Sequence, residues 1–113
     1  DYLHATRYRG QTSGSGLAWL HRPATPLHGR KVLLADDILD EGHTLLAVKH
    51  WCEDQGATEV RTAVLAEKLH DRCVEGIVAD HVGVQVPDAY VFGYGMDYHE
   101  QGRNLPAIYA LGD

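Results

Sequence analysis

The residues best suited to chemistry lie in positions 36–41, where four of the 16 Asp and Glu residues of this chain occur. Gly42, His43 and Thr44 follow, ahead of an apolar pattern typical of a helix. Carboxylates suit sugar hydroxyls or a metal ion, whereas free amides at the entrance of a helix suit a phosphate, with the Thr44 hydroxyl as a further donor. This combination predicts a site for a phosphorylated sugar.

The sequence before the acidic run predicts where it lies in the fold. A cluster of charges is usually a solvated face, but residues 32–35 are uniformly apolar and bounded by charge, which is typical of a parallel strand buried on both faces. Ligands bind beyond the carboxyl ends of such strands. We therefore expect Asp36 and Asp37 at the binding edge of a sheet, with Gly42 allowing a positive φ or a close backbone approach.

A helix and a second strand should follow. We predict Thr44 as the N-cap of the helix and Gly56 at its C-terminal end. Its apolar face consists of four residues at roughly helical spacing: Leu45, Val48, Trp51 and Cys52. Residues 60–66 are again rich in β-formers, so positions 31–66 predict a βαβ unit.

The rest of the chain predicts short strands and loops. Residues 10–16 contain three glycines and no apolar anchor, and we expect a mobile loop there. Further strands are predicted at residues 2–9, 17–21, 79–86, 90–92 and 107–111. The expected fold class is α/β, a parallel sheet core with a small β-rich hood.

Length and composition exclude several classes of protein. The 113 residues suffice for one small domain, and a net charge of −6 without a Lys/Arg stripe argues against nucleic acid as a partner. No apolar run approaches the roughly 20 residues that span a membrane. Two cysteines form no disulfide framework, which favours a cytoplasmic location. The eight histidines are scattered, and His70 near Cys73 lacks a second ligand pair at zinc-site spacing.

Two motifs together resemble a known family. Residues 32–44 resemble the 5-phosphoribosyl-1-pyrophosphate motif of type I phosphoribosyltransferases. Residues 87–98 and 103–106, with Lys68 between the motifs, resemble the 6-oxopurine branch, the hypoxanthine-guanine phosphoribosyltransferases. The similarity runs in order from Asp1 to Leu111, and the chain begins without Met. We therefore expect residues 1–113 to be the C-terminal two-thirds of the family domain, with the N-terminal strand and its pyrophosphate-binding loop missing.

The resemblance implies roles for the acidic run. Asp36 and Asp37 match the pair that hydrogen-bonds the ribose hydroxyls. Asp40 matches the general base that takes the proton from purine N7. The 5′-phosphate loop is matched by four consecutive residues: Glu41, Gly42, His43 and Thr44.

The resemblance also implies a purine pocket and a magnesium site. Lys68 matches the lysine that donates to the 6-oxo group, Tyr90 the aromatic that stacks on the base, and the Val91 backbone the group that reads the pyrimidine edge. Asp97 matches a carboxylate near Mg²⁺, and Arg103 matches an arginine that meets pyrophosphate. The implied protein is a homo-oligomer, a dimer or tetramer, that converts hypoxanthine or guanine to the nucleoside monophosphate in purine salvage.

Several positions differ from the family pattern or lie where it varies. Glu41 stands where the family has Thr or Ser, and its carboxylate must turn away or repel the phosphate. His43 occupies a variable position and could add positive charge if protonated. Arg7-Tyr8 stands where a Ser-Tyr pair opens the mobile loop.

Other interpretations stay open. Each late residue also has an ordinary explanation, because Lys68 and Arg103 could be solvated and Tyr90 and Phe92 could be core aromatics. An acidic pair at a strand end also occurs in receiver domains, although the phosphate loop has no role there. The alternatives to an enzyme are a non-catalytic nucleotide-binding protein of the same fold and an inactive fragment.

Overall fold

The computed structural model describes residues 1–7, 17–93, 96 and 107–110. The predicted loop at residues 10–16 lies outside the described residues. Strands β1 and β2 form an antiparallel hairpin, β3, β4 and β5 a three-stranded parallel sheet, and β6 and β7 a second antiparallel pair. In chain order the elements are β1 His4–Arg7, β2 Leu17–His21, β3 Lys31–Leu39, α1 His43–Asp54, β4 Glu59–Lys68, β5 His81–Val86, β6 Val91–Phe92 and β7 Tyr109–Ala110.

The βαβ unit predicted from the sequence is present. Strands β3 and β4 are parallel neighbours, with Val32 opposite Val60 and Leu39 opposite Glu67, and helix α1 connects them. This register brings the residues after β3 alongside the last residues of β4. Ligands of open parallel sheets bind at this carboxyl edge.

Helix α1 covers one face of the sheet because its apolar side matches that face. Val48 and Cys52 are buried against Leu34 and Val60, and Leu45 and Trp51 pack at the margin. Trp51 also contacts Trp19 of β2, with 4.7 Å between the ring centroids. The β1–β2 hairpin is therefore anchored on helix α1, whose first residues lie at the candidate site.

Burial of β3 on both faces was a wrong expectation. Leu34 is 8% exposed beneath α1, whereas Leu33, its neighbour on the other face, is 59% exposed. Alternate strand residues point to opposite faces. Within the described residues, the helix covers only one of these faces.

Two boundaries also differ from prediction. β3 continues to Leu39, so Asp36 and Asp37 lie within the strand, because pairing with β4 extends through Asp36, Ile38 and Leu39. The N-cap is Gly42 rather than Thr44, and the C-cap is Gln55, followed by Gly56.

Among the described residues, no helix is long and apolar enough to span a bilayer.

Gly42 permits the tight connection between β3 and α1. Its φ is +84°, in the left-handed region that favours glycine. A Cβ atom there would lie 2.7 Å from Cγ2 of Ile77 and 3.1 Å from Cδ1 of Leu39. The position therefore requires glycine for both its backbone conformation and its packing.

We expect Gly42→Ala to lower the free energy of unfolding by about 2–4 kcal/mol, because it combines left-handed strain with a clash. Gly29→Ala is the matched control, since Gly29 has a φ of +74° but no atom within 4 Å of the added Cβ. It should lose only about 1 kcal/mol. Urea unfolding measures both, and equal losses would show that the Ile77 contact does not matter.

Candidate active site

A cavity of about 480 Å³ lies where β3 ends and α1 begins. It contains most of the residues predicted to bind ribose and phosphate, and Thr6 of the hairpin reaches it from the other side. The lining consists of Thr6, Asp36, Ile38, Leu39, Asp40, Glu41, Gly42, His43, Thr44 and Leu45. Asp37 lines a neighbouring cavity of about 620 Å³, to which Asp36 and Thr44 also contribute.

The carboxyl group of Asp36 has a raised pKa. The Asp37 amide donates a 2.8 Å hydrogen bond to Oδ1 of Asp36. Asp36 is an exposed residue overall, but partial burial of its carboxyl group in the cleft raises its pKa to about 6, and the negative charge of Asp37 adds to this rise against the effect of the amide hydrogen bond. A hydroxyl-rich ligand could use this carboxyl group as an acceptor once it is ionised.

The predicted phosphate loop leads directly into α1. Gly42 precedes the first helical residue, so the first amides of the helix have no partners within the helix and can bind an anion. The Glu41 carbonyl accepts a 2.7 Å hydrogen bond from the Val74 amide, which ties the loop to the chain beyond β4. Oε1 of Glu41 lies 3.4 Å from Nε2 of His43, so this carboxylate has a partner of its own within the loop.

Asp40 is held by two residues that follow one another closely in sequence. Lys68, the last residue of β4, donates from Nζ to Oδ2 of Asp40 at 3.2 Å. Nε2 of His70 lies 2.6 Å from Oδ1. Partial burial would by itself raise the pKa of Asp40, but the hydrogen bond from His70, together with the hydrogen bond and positive charge of Lys68, outweighs it and holds that pKa below its ordinary value.

Sequence reasoning missed His70 as part of this site. Its side chain is 3% exposed, and its Nδ1 accepts a 2.9 Å hydrogen bond from the Arg72 amide. The Arg72 guanidinium in turn binds both carboxylate oxygens of Asp88, at 2.7 and 2.9 Å. The nearness of His70 to Lys68 in sequence was the one available signal. This nearness did not identify His70 as a site residue, because β4 ends at Lys68 and His70 lies beyond the strand.

The residues predicted to bind the purine do not line this cavity, and Lys68 lines a second one together with Asp40. Val91 is buried in a cluster with Ala66, Val86 and Met96, against which Ile38 packs, and Ile38 also lines the cavity. Tyr90 is 49% exposed at the entrance to β6. Their contacts with a base remain predictions.

Asp97 and Arg103 lie outside the described residues, so their roles also remain predictions. Within residues 1–7, 17–93, 96 and 107–110, no group of three or more His, Cys, Asp or Glu side chains is arranged to hold a metal ion. The carboxylate oxygens of Asp36 and Asp37 nevertheless fit Mg²⁺, which binds one or two carboxylates together with substrate phosphates.

Comparison with known proteins decides the family. The phosphoribosyl transferase domain matches residues 1–101 of this chain. The chain belongs to that family.

Named relatives and a solved structure agree on the branch and the fold. Hypoxanthine-guanine phosphoribosyltransferases from Streptococcus pneumoniae and Bacillus subtilis are 38% and 37% identical over 112 residues. These matches cover 98% of this chain and 62% of each relative. A hypoxanthine phosphoribosyltransferase structure from Staphylococcus aureus superposes with a TM-score of 0.85 at 30% identity, covering 97% of this chain and 60% of that one.

These matches confirm the predicted resemblance and the type I phosphoribosyltransferase fold. The chain spans about three fifths of the length of the curated relatives it matches.

The raised pKa of Asp36 predicts how its replacement affects stability. The folded-state pKa of about 6 exceeds the ordinary 3.8. The fold therefore favours the protonated form, and the carboxylate destabilises it as the pH rises through this interval. Asp36→Asn keeps the oxygen that accepts the Asp37 amide, and it should add about 1 kcal/mol to the free energy of unfolding at pH 8 after allowance for exposure.

At about pH 3.5, below the ordinary pKa, the gain should vanish. Thermal unfolding at both pH values measures it, with the exposed Asp54→Asn as the control for removal of one charge. An equal gain for Asp36→Asn at both pH values would contradict the assigned pKa.

Proposed function

We propose that this chain carries the catalytic residues of a 6-oxopurine phosphoribosyltransferase. The reaction joins hypoxanthine or guanine to 5-phosphoribosyl-1-pyrophosphate and releases the nucleoside monophosphate and pyrophosphate. The observation that carries the proposal is the position of Asp40, which lines one cavity with the predicted phosphate loop and a second cavity, of about 230 Å³, with Lys68 and His70. Family membership and the names of the relatives support the same reaction.

Binding of the sugar phosphate follows from the two ends of the cavity. The amides at the start of α1 take the 5′-phosphate, and the helix dipole favours its negative charge. Asp36 and Asp37 accept hydrogen bonds from the ribose hydroxyls. The end of β3 and the start of α1 thus bind the two parts of the sugar phosphate. They place C1 of the ribose, the carbon that reacts, near Asp40.

Asp40 acts on the purine. N9 of the base attacks C1 of the ribose, the bond from C1 to the pyrophosphate oxygen breaks, and the N7 proton passes to the Asp40 carboxylate. The lowered pKa of Asp40 keeps this acceptor ionised near neutral pH. Its charge also stabilises the oxocarbenium character that develops on the sugar, an effect specific to the transition state.

Lys68 selects the base. Its ammonium donates to the 6-oxo group of hypoxanthine or guanine, whereas the 6-amino group of adenine would present a donor to a donor. The side chain is 13% exposed, so a mismatch there would remain poorly solvated. Tyr90 stacks on the base and the Val91 backbone reads its pyrimidine edge.

The leaving group needs positive charge. Mg²⁺, when bound, neutralises pyrophosphate, with Asp97 near the ion and Arg103 on the pyrophosphate. We assign the protein to purine salvage in the cytoplasm, in keeping with its two free cysteines, and to a homo-oligomer, a dimer or tetramer.

A non-catalytic nucleotide-binding protein of the same fold is the second candidate. It is favoured by Glu41, which puts a carboxylate in a loop that must receive a dianion. An inactive fragment is the third. Turnover distinguishes both from the enzyme.

Asp40→Asn should lower kcat by roughly 10²–10⁴, the usual contribution of a general base. The assay uses hypoxanthine, 5-phosphoribosyl-1-pyrophosphate and Mg²⁺, with the protein carrying whatever residues its gene encodes ahead of Asp1. Asp54→Asn at the end of α1 is the control. Absence of turnover in the unsubstituted protein would refute the enzyme, whereas an unchanged kcat in Asp40→Asn would refute only the assignment of the base.

Glu41→Gln should strengthen binding of inosine monophosphate roughly five-fold, because it removes one negative charge near the phosphate, worth about 1 kcal/mol in water at 4 Å. Calorimetric titration measures the change. Inosine, which lacks the phosphate, is the control ligand and should bind both proteins equally. A gain shared by inosine would mean that Glu41 acts elsewhere than on the phosphate.

A further inference from the structure

We propose that His70 is a positioning residue that holds Oδ1 of Asp40 and thereby leaves Oδ2 as the atom that receives the purine proton. The proposal rests on the proposed function, because it assigns a role within that reaction. It adds a residue that the family resemblance did not mark.

The contact between His70 and Asp40 is short, and the His70 side chain is far more buried than that of Asp40. Nε2 of His70 lies 2.6 Å from Oδ1 of Asp40, and the His70 side chain is 3% exposed while that of Asp40 is 42% exposed. The imidazole is therefore the fixed partner and the carboxylate the one that reaches into the cavity. Without His70, the Asp40 side chain would lose this contact and be held through its hydrogen bond to Lys68.

The hydrogen bond of the other ring nitrogen determines what His70 can do. Because Nδ1 accepts from the Arg72 amide, the single proton of the neutral ring lies on Nε2 and points at Asp40. His70 therefore donates to the carboxylate and offers it no free acceptor. This arrangement makes it an orienting group and not a second base.

The segment that carries His70 is itself anchored. The Leu69 amide donates to the Val86 carbonyl at 2.9 Å, and the Arg72 guanidinium binds Asp88 through both of its carboxylate oxygens. These contacts fix the residues on either side of His70 to the end of β5 and the turn after it. The imidazole is thus held by the fold on the side away from the cavity.

The two hydrogen-bond partners of Asp40 behave differently in the proposed reaction. Lys68 holds Oδ2, but in the proposed reaction its ammonium turns to the 6-oxo group of the base. Oδ2 then loses its donor and becomes the available acceptor, whereas Oδ1 stays bound to His70. Arrival of the base would therefore expose the reacting oxygen in a fixed orientation, which is the geometric condition for efficient proton transfer.

Three substitutions separate positioning from packing. His70→Gln retains an amide donor near the place of Nε2, His70→Asn retains only an acceptor near the place of Nδ1, and His70→Leu retains neither. We expect kcat to fall roughly 10–100-fold in the Asn and Leu variants, the scale of a misplaced reacting group. KM for both substrates should stay within about three-fold, and the Gln variant should recover much of kcat.

Two further measurements complete the test. Combining His70→Asn with Asp40→Asn should lower kcat no further than Asp40→Asn alone, because both act through one group. Nitrogen NMR of the unsubstituted protein should show His70 protonated at Nε2 and unprotonated at Nδ1, whether or not the protein turns over substrate.

The outcomes distinguish the two proposals. An unsubstituted protein without turnover overturns the proposed function. If it is active, equal kcat in all three His70 variants, or a proton on Nδ1 in place of Nε2, overturns the positioning role alone.

Discussion

The hydrogen bonds that join Asp40 to Lys68 and His70 are the constraint on which the rest of the site depends. They connect the loop after β3 to the residues at and beyond the end of β4, two segments that meet only because the strands are parallel and Leu39 lies opposite Glu67. A shift of one residue in this register would reverse the faces to which the side chains point. The register between β3 and β4 therefore determines which side chains meet Asp40.

Two carboxylates four residues apart are driven in opposite directions by their surroundings. Partial burial and the neighbouring Asp37 raise the pKa of Asp36, whereas His70 and Lys68 outweigh burial at Asp40 and lower its pKa. Such divergence between nearby titratable groups marks a candidate functional site.

Local sequence patterns predicted the elements well and the non-local contacts poorly. The strand, the helix face of Val48 and Cys52, and the short connection between β3 and α1 could be inferred because each is encoded within a few residues. Gly42 and Thr44 are both acceptable N-caps, and local sequence does not show that Gly42 packs against Ile77, 35 positions away. The exposure of Leu33 likewise depends on which distant segments cover it, and the contact of His70 with Asp40 depends on how distant segments pack together. A local hydrophobic pattern carries neither kind of information.

The acidic side chains that line the cavity need hydrogen-bond or ion-pair partners, because the proposed ligand is also negatively charged. Asp36, Asp40 and Glu41 face a cavity whose described lining contains no Lys or Arg, yet the proposed substrate is a polyanion. Glu41 is paired with His43, Asp40 with Lys68 and His70, and Asp36 is partly protonated near pH 6. The Lys68 ammonium thus offsets the charge of Asp40, and protonation removes part of the charge of Asp36. In the proposed reaction, the attraction for the phosphate therefore falls to the amides at the start of α1.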